Sequence, residues 1–263
     1  MFVARQFKSD PALWEEFYQD QDTQRLDEFG FPALSSTKIV LRDKPEELQD
    51  LQGKIDAYWQ SNLANNPKAN NGHMYAMSGW SDIDYVDSTL IIHAYETDYA
   101  SLLVKLNKEG ATAEEAKFLD DNMMFLGASG FIRYNFLGYE CYLAGQVAKK
   151  NIKQDMLESV PQGLVPYGFH EQEDPFRKTL EKECLEETSL IPANFSLIRP
   201  WGVNVSPRAG NFTLIYEMDL VDDNSKPSSE HHNLKFAGKI EITDQAGKYL
   251  WNPVTARLFE KVR

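Results

Sequence analysis

The chain has 263 residues, of which 42% are hydrophobic and 25% charged, a balance typical of a globular protein and enough to bury a sizeable core. A net charge of −13 repels phosphate backbones and argues against nonspecific nucleic-acid binding. No apolar run approaches the roughly 18 residues of a membrane helix, and MFVARQFKSD at the N-terminus lacks the apolar stretch of a secretory signal. A cytoplasmic protein without a membrane or nucleic-acid partner is expected. Its two cysteines, Cys141 and Cys184, are too few for a disulfide scaffold and are expected as thiols.

In chain order, Pro11 opens a short amphipathic helix over residues 11–19. STKIVLRD (36–43) has the β-branched centre of a strand. A helix is predicted from Pro45 to Asn62, with Leu48, Leu51, Ile55, Tyr58 and Trp59 on one face. Residues 65–72 are polar and turn-like. Strands are predicted over 73–80 and 88–96, then a helix over 98–110 that ends at a glycine, where a left-handed cap costs least.

From residue 122 the pattern changes. MFLGASGFIRY (124–134) and YECYLAGQVA (139–148) read as adjacent strands, and 157–168 as an extended segment broken by proline and glycine. A charged helix (175–188) precedes strands at 194–205 and 211–221, a polar loop (222–233) and a strand over 234–243. From Pro253 a helix is predicted, with Val254, Leu258 and Val262 at helical spacing. The reading is a mixed α/β protein: an N-terminal α/β extension over 1–121 and a second domain over 122–263.

The chemistry is concentrated in GFHEQEDPFRKTLEKECLEETSL (168–190). Asp174 is a suitable N-cap, with Pro175 at the first helical position. Phe176, Leu180 and Cys184 recur every four residues as a buried stripe. At about 100° per residue, Glu183, Glu186 and Glu187 share an arc of roughly 100° on another face. Three such carboxylates repel one another on an isolated helix, and a hard divalent cation turns that repulsion into binding. The plainer alternative is a solvated acidic face.

This segment resembles the signature of the Nudix hydrolases, G-x5-E-x7-R-E-U-x-E-E-x-G-U, where U is a bulky aliphatic residue. Gly168, Glu183, Glu186 and Glu187 match it, and every spacing is kept. Asp174 stands for glutamate, Lys182 for arginine, Ser189 for glycine, and Cys184 occupies an aliphatic position. Asp174 and Lys182 preserve charge sign, although lysine lacks the planar fork of arginine.

The resemblance implies an α/β/α sandwich with a mixed sheet. It also implies Mg²⁺ or Mn²⁺ held by Glu183, Glu186, Glu187 and the Gly168 carbonyl, and hydrolysis of a diphosphate linkage in a small nucleoside diphosphate derivative. A monomer or homodimer is expected. A fainter likeness, in Lys54–Trp59, Glu96–Tyr99 and Leu126–Gly130, is to the subgroup acting on UDP-glucose and UDP-galactose. ADP-ribose, dinucleotides and coenzyme A are the alternative substrates, and a nucleotide-binding module with an inactive box is the non-enzymatic one.

Other residues carry less. Glu230 is a candidate base by position alone, and His231-His232 reads as a solvated loop pair. His170, Arg133 and Arg208 could meet phosphate. Tyr85, Tyr134, Tyr167 and Trp201 could stack on a base, though most aromatics belong to cores.

Overall fold

The computed structural model describes residues 10–65, 70–108, 111–148, 156–206, 210–227, 231–243 and 250–262. Among these the chain runs α1 (Pro11–Gln19), β1 (Asp22–Arg25), α2 (Leu26–Phe29), β2 (Ser36–Leu41), α3 (Glu46–Asp50), α4 (Gln52–Asn65), β3 (His73–Met77), β4 (Ile83–Val86), β5 (Thr89–Asp98), α5 (Tyr99–Asn107) and α6 (Ala113–Asn122). It continues with β6 (Met124–Phe136), β7 (Tyr139–Val147), β8 (Leu157–Ser159), β9 (Gln162–Leu164), α7 (Pro175–Thr188), β10 (Phe195–Ser206), β11 (Asn211–Leu220), β12 (His231–Gly238), α8 (Lys239–Thr243) and α9 (Pro253–Lys261). The fold is mixed α+β, built on a mixed sheet with the path β1-β10-β11-β6-β3-β5-β2.

β6 organises this sheet. One edge pairs in parallel with β11 over residues 125–133. The other edge is divided along its length: β3 meets Met124 and Phe125, β9 meets 127–129, and β7 meets 133–136, all antiparallel. β12 and β8 extend the sheet from β7.

The period-2 geometry of β6 sends its side chains into different cores. Leu126, Ala128 and Ile132 join the cluster under α7, with Phe176, Leu180 and Cys184. Phe125 turns to the helices α3–α6, with Leu48, Ile55 and Trp59, and Phe131 turns to α1 and α9, with Trp14, Trp251 and Phe259. Helices therefore cover both faces. α1 and β1 from the N-terminal segment pack against α9 and β10 from the other end of the sequence; Trp14 Nε1 donates to the Trp251 carbonyl at 2.7 Å. Cys141 and Cys184 are free thiols. Among the described residues no helix is long and apolar enough to cross a membrane.

Three expected elements differ. The helix over 45–62 is interrupted between α3 and α4 at Leu51, which keeps helical dihedrals, so Leu48, Leu51, Ile55 and Trp59 still share a buried side. α5 stops at Asn107, and Lys108 rather than glycine takes the left-handed cap at φ 54°, while its ammonium pairs with Asp120 of α6. Gly110 lies outside the described residues. The strand over 234–243 starts earlier, at His231, and ends at Gly238, where its register with β7 finishes at Cys141. The next five residues coil as α8 and bury Ile242. α2, α6, β1 and β4 have no expected counterpart.

Lys105 is fully buried in α5 and caps α6 through the Leu119 carbonyl at 2.7 Å. Burial pushes its ammonium down to about 8, against the pull of Asp120. Below about pH 8 it is protonated in both folded and unfolded chains. Between about 8 and 10.5 the native state releases its proton first, so stability from this group rises with pH. Lys105→Met is expected to lose that rise, read as urea-unfolding free energies at about pH 8 and about pH 10. A variant with the wild-type slope would show that Lys105 stays charged.

Candidate functional site

α7 forms where the sequence places it. Pro175 occupies the first turn, and Phe176, Leu180 and Cys184 are buried against the sheet. Gly130 of β6 admits this close packing: a Cβ there would stand 3.1 Å from Leu180 Cδ1 and 2.9 Å from Met218 Sδ. Thr179 and Thr188 point inward and return their hydroxyls to the carbonyls of Pro175 and Cys184, at 2.8 and 2.6 Å. The helix ends with Ser189 left-handed at φ 62°, at the position where the signature has glycine.

Asp174 occupies the N-cap position, but its side chain does not cap. It is left-handed (φ 53°), and its carboxylate accepts the Thr37 hydroxyl at 2.5 Å. Thr37 Oγ1 in turn lies 3.4 Å from the Phe176 N–H, so β2 supplies the cap oxygen from another part of the chain. Burial raises the Asp174 pKa, opposed by the Thr37 hydrogen bond.

The three glutamates have different surroundings. Glu187 is buried, and its Oε2 accepts the Gln162 N–H of β9 at 3.2 Å. Glu183 lies against Gly163, where a Cβ would overlap its carboxyl group. Glu186 is exposed. Lys182 Nζ bridges Glu183 Oε1 at 3.0 Å and Glu186 Oε2 at 2.7 Å. Burial alone would lower the pKa of Lys182, but these two hydrogen bonds outweigh it and the value is raised. Lys182 thus ties Glu183 to Glu186, while Asp174 turns to Thr37.

Gly168 is left-handed at φ 87°, a conformation glycine adopts without a Cβ penalty. Its carbonyl accepts the Glu171 N–H at 3.3 Å, and its own N–H donates to Tyr75 Oη at 2.7 Å. Tyr75 is buried on β3, with its pKa raised by desolvation, and its Oη also lies 2.6 Å from His170 Nδ1. Tyr167 on the same turn is half exposed and stacks on Tyr75, ring centres 6.2 Å apart, with His73 at 5.3 Å.

Among the described residues no three His, Cys, Asp or Glu side chains converge on one metal position as they stand. The donor chemistry nevertheless suits a hard cation. All three α7 carboxylates are oxygen donors, and the Lys182 ammonium marks a point where two of them meet a positive charge.

Several other candidates are placed elsewhere. The guanidinium of Arg133 is held by Asp219 (2.8 Å) and Glu217 (2.9 Å) across the sheet. His231 is not in a solvated loop: it is buried on β12, with Nε2 3.2 Å from Glu158 Oε1. Tyr85 packs on Phe31, Tyr134 on Phe236 and Trp201 on Phe131, so of the four aromatics considered Tyr167 is the one on the glycine turn. Glu230 and Arg208 lie outside the described residues. Thr37, Tyr75, Gln162 and Gly163 were not singled out in the sequence, because each acts through a partner distant along the chain.

No family model and no curated protein matches this chain. Among solved structures it is similar to the C. elegans Ap4A hydrolase binary complex, at 19% identity over 47% of this chain and 92% of that one, TM-score 0.36. It is similar to the Nudix domain of Shewanella oneidensis NrtR complexed with ADP ribose, at 11% identity over 45% and 75%, TM-score 0.35. The Nudix hydrolase RenU from M. smegmatis aligns at 13% identity over 52% and 84%, TM-score 0.38.

The raised pKa of Asp174 has a testable sign. Above about pH 4 the unfolded carboxyl ionises while the native one holds its proton, so stability from this group falls as pH rises through the native value. Asp174→Asn keeps an acceptor for Thr37 and removes that loss. Its unfolding free energy is expected to gain on wild type between about pH 4 and about pH 7. A constant difference across that window would assign the proton elsewhere.

Proposed function

We propose that the chain is a metal-dependent diphosphatase that cleaves the diphosphate linkage of a small nucleoside diphosphate derivative. The observation carrying this reading is the signature-spaced set Gly168, Glu183, Glu186 and Glu187, with its carboxylates held in distinct, supported positions on α7. A nucleotide sugar such as UDP-glucose is the favoured substrate, giving UMP and a sugar 1-phosphate, on the strength of the short N-terminal likenesses. ADP-ribose, dinucleotides and coenzyme A are the alternatives.

Glu186 and Glu187 would be the principal ligands to Mg²⁺ or Mn²⁺, with Glu183 and the Gly168 carbonyl adding to them. Bound metal would supply charge neutralisation at the diphosphate oxygens and a more acidic water. The chain's own residues set the geometry. The Gln162 N–H fixes one oxygen of Glu187, Gly163 leaves the space that Glu183 fills, and Lys182 balances the negative face while orienting Glu183 and Glu186. Tyr75 fixes the amide of Gly168 and with it the turn beside the helix.

The test is product chromatography on UDP-glucose, ADP-ribose, diadenosine tetraphosphate, NADH and coenzyme A, each with Mg²⁺ and with chelator. Chelator-sensitive release of a monophosphate from one of them is expected. Glu187→Gln and Glu186→Gln should each lower turnover by about a hundredfold or more, since loss of even a group that only supports a ligand costs about 10- to 100-fold. Activity within twofold of wild type in both would remove the site assignment. Gly163→Ala, which displaces Glu183 without touching a charge, should lower kcat by about tenfold or more. Unchanged kcat would mean that Glu183 has no positional role.

A further inference from the structure

Hydrogen-bond accounting at Tyr75 determines the state of His170. Tyr75 is completely buried, and its Oη lies between the Gly168 N–H at 2.7 Å and His170 Nδ1 at 2.6 Å. A backbone amide can only donate, so Oη accepts there and has one proton left to place. The acceptor within reach is Nδ1. A neutral imidazole that accepts at Nδ1 carries its own proton on Nε2. The other tautomer would aim two donors at Oη and strand the phenol proton in a buried site, which native structures avoid.

The His170 side chain is 21% exposed, and Nε2 stands 3.9 Å from Glu171 Oε1, beyond hydrogen-bond range. His170 is two residues from Gly168, on the turn that precedes α7. In a chain of charge −13, a diphosphate entering beside three glutamates needs N–H donors as well as metal.

We infer that Tyr75 is a positioning residue that locks His170 as the Nε2–H tautomer, and that this N–H contacts a non-bridging oxygen of the substrate's diphosphate. The inference rests on the hydrolase reading for its substrate, while the tautomer stands on the hydrogen bonds alone. The contact selects for a diphosphate ester independently of the base or sugar beyond it. It also gives the N-terminal part of the chain, through β3, a direct hold on substrate binding.

The tautomer is read by ¹⁵N NMR of the full-length protein, with His170 assigned among the five histidines by His170→Gln. Wild type should show an unprotonated Nδ1 and a protonated Nε2, and Tyr75→Phe should mix the tautomers. A protonated Nδ1 in wild type overturns the lock. Inorganic pyrophosphate with MgCl₂ should move the His170 Nε2 resonance, and no movement at saturating probe overturns the contact whatever the turnover.

Kinetics on the best substrate of the panel separate the two ideas further. A contact made equally in ground and transition states changes KM rather than kcat. His170→Ala should raise KM by about five- to tenfold with kcat within about twofold. His170→Gln, whose amide reaches the Nε2 position, should restore KM, and His170→Asn, whose amide reaches Nδ1, should not. Equal KM in Gln and Asn variants, with Glu187→Gln still inactive, overturns the His170 contact and leaves the hydrolase reading standing. No chelator-sensitive turnover of any substrate by wild type would remove the hydrolase reading instead, with the tautomer still decided by NMR.

Discussion

The division of one edge of β6 among three strands is the constraint on which the site depends. β6 is committed to β11 along one side, so β3, β9 and β7 share the other in sequence. That order sets β9, with Gln162 and Gly163, under the glutamate-bearing part of α7. It sets β3, with Tyr75, at the start of the same edge, next to the glycine turn. Neither placement follows from α7 itself. A helix alone would carry three repelling carboxylates; on this sheet one is buried on a backbone amide, one fits against a missing side chain, and a lysine bridges two of them.

The N-terminal segment is built into this arrangement at several points. Thr37 of β2 supplies the cap oxygen of α7, Tyr75 of β3 holds the turn, and α1 with β1 covers the far side against α9 and β10. A half-buried Asp174 costs stability when it ionises, and the Thr37 hydroxyl offsets part of that cost. The carboxylate at the start of α7 is thus supported by an uncharged group from elsewhere in the chain.

The sequence was most legible where local patterns and burial agree. The stripe Phe176, Leu180, Cys184 and the Pro175 start predicted α7 to the residue, and the strands read over 124–134, 194–205 and 211–221 match β6, β10 and β11 closely. α6 was missed although Thr112 and Glu115 spell a capping box, which the structure forms. The alternation in KIEIT suggested a continuing strand, but the ladder with β7 ends at Gly238 opposite Cys141, and the next five residues coil as α8 and bury Ile242. His231 sat in a polar run that hid its burial. The glutamate face of the site was readable from helical spacing. The differing environments of Glu183 and Glu187 were not, because they depend on β9, and Tyr75 lies 93 positions from the glycine it holds.

The ordering of the sheet also bears on self-association. A row of unpaired backbone groups at the end of a sheet invites another chain to add a strand. The longest strand, β6, lies inside the path, while its two ends are β1 and β2. β1 is four residues of Asp, Thr, Gln and Arg, too short and polar to template much pairing. β2 exposes Lys38 at its centre and runs out into Arg42, Asp43, Lys44 and Pro45. The longest strand is held between partners, and the ends of the path carry the charge, brevity and proline that discourage further growth.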